Sequence, residues 1–533
     1  MLLAILVMLM LLSFSSFAQG TVIITSCQIT ENGQVGITYQ IMAEAPAEDG
    51  QIYLFAMKPY EDSIGQRTDY LKAEPIGSGS FYVPLNKGSE NTLLFSHFIL
   101  AVKQGEQFVE VSNSMYLTNP EAAASYQTPV PAAASKKGLL IHTNQMADVK
   151  ELGTKQAVIN IPISQLMSRS RGEVSYRYRG KTYYFNIGGT DKAINDLTRQ
   201  GVRVTAILLN PWNSEISELY YPGVMETGDV NYYGFNAATP QGAETVEAIA
   251  TFLGERYSGK GRGRVANWII GNEIDAPMWN FFGDMDMGRY IKEYERSFRI
   301  FYNAIRSSSS YARVDIPLTY SWNMVNPALP HSNYAVRDFL TTWNAQVQQN
   351  GNIDWGIAYH PYPAVMTEPE FWNDNVYAVK NPNARVVNFN NLYVLTDFMQ
   401  APTMRDRNGQ VRHLILSEAG FTSQSPVRGN VELQQAAAFA YAYYIAESNP
   451  FVDGFILMRH VDNLYQQNES FYFGLWNNDA TSGTVETPTT KKPIWQVFRD
   501  IDTDQSLQAT EFAKPMIGIN RWSDVIPGFG RVE

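Results

Sequence analysis

The sequence predicts a (β/α)8 TIM barrel preceded by a small all-β sandwich. From residue 138 onward, eight short apolar runs alternate with amphipathic stretches of helical period. Each run ends in polar residues, as the C-terminal rim of such a barrel requires. Ahead of them, residues 19–118 carry short alternating runs separated by Gly, Asn and Asp turns, the pattern of a sandwich.

The bulk properties agree. At 533 residues the chain needs several domains, or one large barrel with an added module. Lys and Arg number 41 against 52 Asp and Glu, a net charge of −11 with no basic stripe, which argues against a nucleic-acid partner. A 45% hydrophobic and 13% aromatic content excludes disorder. The single cysteine, Cys27, excludes an intramolecular disulfide framework.

Residues 1–14 are an apolar run, and Ser15, Ser16, Phe17 and Ala18 place small residues where a signal peptidase reads. Residues 1–18 are therefore expected to be a signal peptide, giving a secreted or periplasmic protein. No Lys or Arg precedes the run, so an uncleaved membrane-anchoring helix is the alternative. No later segment stays apolar long enough to span a bilayer.

In chain order, runs such as 35–41 and 108–111 supply sandwich strands. Residues 119–137, rich in Ala, Ser and Pro and stiffened by Pro129 and Pro131, read as a linker. The second, barrel domain is expected over 138–533, with strands at 139–142, 157–161, 204–210, 268–271, 316–320, 353–360, 414–417 and 454–460. Between them lie helices. One carries Val246, Ile249, Leu253 and Tyr257, another Ile291, Tyr294, Phe298, Phe301 and Ile305, each an apolar stripe for a sheet. An alternating Tyr-rich stretch over 173–186, turning at Arg179, Gly180 and Lys181, reads as an inserted hairpin.

A barrel of this kind does its chemistry at the C-terminal ends of its strands. The polar residues collected there are His142 and Asn144, Asn210 and Asn213, Asn272 and Glu273, Ser321 and Asn323, Tyr359 and His360, Glu418, and Arg459 and His460. Two acids stand out. Trp268, Ile269, Ile270, Gly271, Asn272 and Glu273 run from a buried strand straight into an amide and a carboxylate, and Leu414, Ile415, Leu416, Ser417 and Glu418 repeat the design three strands later. Such a pair projects toward one centre, at a separation near the ~5 Å that retaining cleavage of a glycosidic bond requires. That chemistry needs one protonated carboxyl for the leaving oxygen and one ionised carboxylate beneath the oxocarbenium-like transition state. Neighbouring carboxylates push their pKa values apart in the required way. The competing reading is that each glutamate pairs with a rim Arg or Lys.

Asn272 and Glu273 on one strand and Glu418 three strands later resemble the clan A retaining glycoside hydrolases, whose members share the (β/α)8 barrel. The resemblance covers residues 138 to about 501 and rests on these short motifs. It implies Glu273 as acid/base, Asn272 as the amide that holds the sugar 2-hydroxyl, and Glu418 as nucleophile. Clan members often place a Tyr near the end of the sixth strand against the nucleophile, and Tyr359, His360 and Tyr362 are the candidates there. Many end the eighth strand with Trp, where this chain has Met458, Arg459 and His460. That departure bears on the sugar recognised, and the inserted loops point to a less characterised branch.

A carbohydrate partner calls for aromatic platforms, since a sugar's C–H face buries apolar area on a ring while its hydroxyls keep their hydrogen bonds. Trp212, Trp279, Trp322 and Trp476 follow strands and qualify by position. Trp268 and Trp355 lie within strands and read as core. The aromatic stretches at 219–221 and 232–235 either line an extended cleft or fold a long loop onto the barrel. Arg459 leaves room for a uronic or sulfated unit.

No organic cofactor or metal is implied. The rival metal-dependent hydrolase would use His142, His360 and His460 for Zn²⁺. An amidohydrolase of that kind shows His-x-His on its first strand, and here the run is His142, Thr143, Asn144, while His413 begins its strand. A non-catalytic carbohydrate-binding barrel is the third class, and the presence of both glutamates speaks against it. The N-terminal segment has no Trp. Tyr53, Tyr60, Tyr82 and Tyr116 could substitute in stacking on a glycan, and a spacer or docking role is the favoured reading.

Overall fold

A computed structural model of the chain describes residues 21–327 and 332–533. The expected signal peptide at 1–18 lies outside the described residues. Eight parallel strands close into a barrel: β1 (Lys137–Leu140), β2 (Gln156–Pro162), β3 (Arg203–Leu209), β4 (Val265–Ile270), β5 (Arg313–Leu318), β6 (Gly356–Tyr359), β7 (Leu414–Ala419) and β8 (Val452–Leu457), with β8 pairing back onto β1. All eight fall on the apolar runs read from the sequence, displaced by a few residues. Their continuous apolar character reflects burial on both faces.

Side-chain alternation divides the interior into two cores. Leu140, Val158, Ile207, Leu209, Ile269, Ala358, Ile415 and Ile456 fill the lumen. The intervening residues, such as Ala157, Ile159 and Ile161, pack against the helices outside. Among the latter, α1 (Pro240–Arg256) is capped by the Thr239 hydroxyl accepting from Gly242 N, and α2 (Met287–Ser308) by Asp286 accepting from Arg289 N. The inserted hairpin pairs Val174–Tyr178 with Lys181–Phe185. Arg179 and Gly180 both sit at positive φ (44° and 78°), as a two-residue turn matching strand twist demands.

Ahead of the barrel lie two antiparallel sheets. One joins Val22–Ile29, Gln34–Ile41 and Gly79–Pro84. The other joins Lys72–Pro75, Gln51–Met57, His97–Gln104 and Gln107–Glu110, with Met115–Tyr116 on its side. These sheets cover α2. Asn303 donates to Leu94 O at 2.8 Å, and Arg296 pairs with Asp62 at 2.5 Å. The Arg299 guanidinium lies 5.1 Å from the Tyr116 ring centroid. Arg299 and its partner Glu295 are 1% and 3% exposed, 2.9 Å apart, and ringed by donors and acceptors: Arg299 reaches Val347 O and Gly351 O, and Gln346 and Asn350 donate to Glu295. The stretch read as a linker is fastened beneath the barrel, because Arg264 donates to Thr128 O and Pro129 O and Arg203 to Pro131 O.

Candidate active site

The two glutamates reach one place by different backbone devices. After β4 the chain turns sharply. Gly271 has φ 85°, and a Cβ there would lie 2.4 Å from Asn280 Oδ1, so only glycine fits. Glu273 follows at φ 37°, a left-handed conformation costly for a residue with a Cβ. Backbone bonds hold the turn in place: Gly271 N to Leu208 O, Ile274 N to Pro317 O and Ala276 N to Glu273 O. Glu418 lies within β7. Strict alternation would turn it outward with Leu414 and Leu416, which belong to the outer core. The pairing of β7 with β8 slips between Leu416 and Ala419, and this irregularity re-aims Glu418 into the mouth.

Both carboxylates line a cavity of about 600 Å³ at the C-terminal ends of the strands. His360 Nδ1 is 2.9 Å from Glu273 Oε1, and the Tyr362 hydroxyl donates to Glu418 Oε1 at 2.7 Å. Burial disfavours a charged His360, but the Glu418 charge and the Glu273 hydrogen bond outweigh it, so the imidazole pKa is raised. Burial, then the charge of Glu418 and more weakly that of Glu273, holds the Tyr362 phenol well above its ordinary value. One phenol thus feels both carboxylates. Asp275 is fully buried behind Glu273. It accepts from Thr319 N at 2.8 Å and from the Thr319 hydroxyl at 2.5 Å, tying the end of β4 to the end of β5. Burial, with Glu273 adding to it, pushes its carboxyl up to about 7.

Of the residues expected from the sequence, Asn272, Glu273, Trp279, Ser321, Tyr362, Glu418 and Arg459 line this cavity, with Tyr232 from the aromatic stretch at 232–235, and His360 touches it through Glu273. The others face elsewhere. Trp322 is 1% exposed with its indole N–H on Pro382 O, which makes it core and not a platform. The Trp212 ring is stacked on Tyr220 at 4.3 Å and tilted against Tyr233 at 5.2 Å, and it is not part of the cavity lining. Asn210 is buried and holds the loop after β3 by donating to Leu219 O and Gly234 O. Tyr359 points out of the lumen, its hydroxyl on Val387 O at 3.0 Å.

His460 and Trp476 both serve Asp148, at 2.7 and 2.8 Å, beside the indole of Trp495. His142 faces Glu486, its Nε2 3.7 Å away. The three strand-end histidines therefore turn to three different acids. Among the described residues no three His, Cys, Asp or Glu side chains gather as a metal would need.

Sequence reasoning missed several walls of the cavity, among them Asn160 from inside β2, Tyr320 beyond β5, and Gln466, Phe471 and Phe473 from the loop after β8. Tyr320 follows a strand and could have been found by the rule that found Asn272. The loop has no period to read. Tyr232 pairs with Trp279 at 6.1 Å while Phe281 N donates to Tyr232 O, so two loops present one aromatic wall. A second cavity of about 640 Å³ lies at the opposite end of the barrel. It is lined by Arg203, Arg313 and His413, where Asp453 pairs with Arg313 and His413.

No curated protein matches the chain. Among solved structures it is similar to a family 39 glycoside hydrolase from Bacteroides cellulosilyticus WH2, at 12% identity and a TM-score of 0.48, covering 90% of this chain and 79% of that one. It is also similar to a family 1 β-glucosidase from Thermotoga maritima, at 13% identity and a TM-score of 0.42, covering 68% and 85%. A GH2 β-galacturonidase from Eisenbergiella tayi is similar at 11% identity and a TM-score of 0.37, covering 91% and 72%. Over residues 129–525 the sequence matches a family of unknown function, DUF5722, and the chain belongs to that family.

Proposed function

We propose that the protein is a retaining glycoside hydrolase acting on a poly- or oligosaccharide. The observation that carries this reading is that Glu273 and Glu418 enter one cavity from strands on different sides of the barrel, with the Tyr362 phenol under the influence of both. In the first step a Glu418 oxygen attacks the anomeric carbon as the bond to the leaving oxygen breaks, and Glu273 gives that oxygen its proton. His360 occupies Oε1 of Glu273, which leaves Oε2 to face the leaving group. In the second step Glu273 takes a proton from water, the water oxygen bonds to the anomeric carbon, and the ester to Glu418 breaks. Tyr362 holds the nucleophile, Asn272 the 2-hydroxyl, and the wall of Trp279 and Tyr232 a sugar face.

The same reading takes 1–18 as a signal peptide sending the enzyme to the periplasm or outside the cell, and 19–118 as a sandwich module docked on the barrel. Among the described residues no helix is long and apolar enough to cross a membrane.

A 2-fluoro glycosyl donor is expected to label Glu418, read by peptide mass mapping, and Glu418→Ala is expected to lose turnover while staying folded. Glu273→Gln should slow substrates with poor leaving groups by roughly 10²–10⁴-fold and activated aryl glycosides far less. Full activity in Glu418→Ala, or a label on another residue, would refute the assignment.

A further inference from the structure

The charge pattern of the cavity singles out Arg459. Glu273, Glu418 and Glu469 supply three carboxylates to the lining, and among the described lining residues Arg459 is the only Lys or Arg. An anionic sugar would need that guanidinium. It is already held: Nη2 lies 3.1 Å from Glu486 Oε1, and Nη1 donates to Gln466 Oε1 at 3.1 Å. Glu486 is itself fixed, accepting from Asn463 Nδ2 at 2.9 Å. The Arg459 and Glu486 side chains are 16% and 17% exposed, so water screens the pair only in part.

An arginine recognises a carboxylate or sulfate through two parallel N–H bonds from its fork. Here each terminal nitrogen of the fork has a protein acceptor. Turning the fork to a substrate anion would leave the partly buried Glu486 carboxylate with the Asn463 amide and the facing His142 but without its guanidinium, and would bring a further negative charge toward Glu418 and Glu469 in the lining. A neutral sugar asks for neither change.

We propose that Glu486, by holding Arg459, restricts this cavity to an uncharged sugar unit and is the residue that excludes units bearing a carboxylate or sulfate. This rests on the proposed reading of the cavity as a sugar site.

The test is calorimetric binding to the full chain. The probes are lactone pairs of gluco, galacto and manno configuration, differing only in whether C6 carries a hydroxymethyl group or a carboxylate. In the wild type, the neutral member of the best-bound pair is expected to bind at least about tenfold more tightly. Glu486→Gln keeps the shape, removes the opposing charge that holds the guanidinium and should narrow that ratio by about tenfold, the worth of one charge-assisted contact. Adding Arg459→Gln should restore the preference, which a merely structural role for Glu486 would not do. If Glu486→Gln does not fold, Gln466→Ala, which frees the other nitrogen, should shift the ratio in the same direction.

Equal or tighter binding of the carboxylate member by the wild type overturns the inference. So does an unchanged ratio in the folded variant, or binding of neither lactone in all three pairs. The hydrolase reading is judged separately, by the adduct on Glu418, and survives any of these results if that adduct forms.

Discussion

Two side chains beside the carboxylate pair can be tested singly. Tyr362 gives Glu418 a hydrogen bond from a group too weakly acidic to surrender its proton. Tyr362→Phe removes that donor and keeps the ring. A hydrogen bond to a charged group contributes about 1.5–3 kcal/mol, so kcat/KM should fall roughly 10- to 100-fold, with the unfolding temperature little changed.

Asp275 offers a test by pH. Its folded pKa of about 7 lies above the ordinary carboxylate value of about 3.9, so the folded state keeps a proton that the unfolded chain releases. Stability from this group is present at low pH and declines as pH rises through the window between those two values. Asp275→Asn cannot titrate and retains contact with Thr319 through its amide. The variant should therefore gain in unfolding temperature, relative to wild type, between pH 4 and pH 8, measured by thermal melts across the range. Asp315, also pushed up to about 7 by burial, is common to both proteins and cancels in the difference.

At the scale of elements, legibility followed chemistry that repeats. Each barrel strand announces itself as an apolar run because both its faces are buried, and the rim residues follow from where the runs stop. Boundaries moved by a few residues because pairing, which no single run specifies, decides where a strand begins. Direction was harder to read. The aim of Glu418 depends on a slip in the pairing of β7 with β8, a property of two strands together. Tyr359 and Tyr362 could not be told apart because the chain leaves β6 between them, at His360 and Pro361, and the two phenols then face Val387 O and Glu418 respectively. Three of the four tryptophan platforms, Trp212, Trp322 and Trp476, failed for a related reason. A position just past a strand does not say whether a large ring turns toward the mouth, as Trp279 does, or packs into the core, as Trp322 does. The loop after β8, whose residues wall the cavity, has neither period nor motif.

At the scale of the molecule, the N-terminal sheets and the barrel share a polar interior. α2 carries an apolar stripe toward the barrel, as its spacing predicted, but its opposite side is buried too, with Arg299 and Glu295 enclosed between module and barrel. Taking one member from a buried ion pair typically costs about 3–5 kcal/mol, because the other charge is left without compensation. Arg299→Ala should lower the unfolding free energy by roughly that amount in denaturant melts. The same change at solvated Lys192, whose Asp196 partner lies one helical turn away, should cost less than about 1 kcal/mol.

The roofing of α2 also limits how far the two parts can be interchanged. A free-standing barrel would show water a helix whose far side was composed for an enclosed setting, with Arg299 and Asn303 aimed at partners on Tyr116 and Leu94 that had been removed. Grafting this barrel onto another leader, or this leader onto another barrel, would thus require rewriting the helix at the seam. The portable unit is the barrel together with its cover.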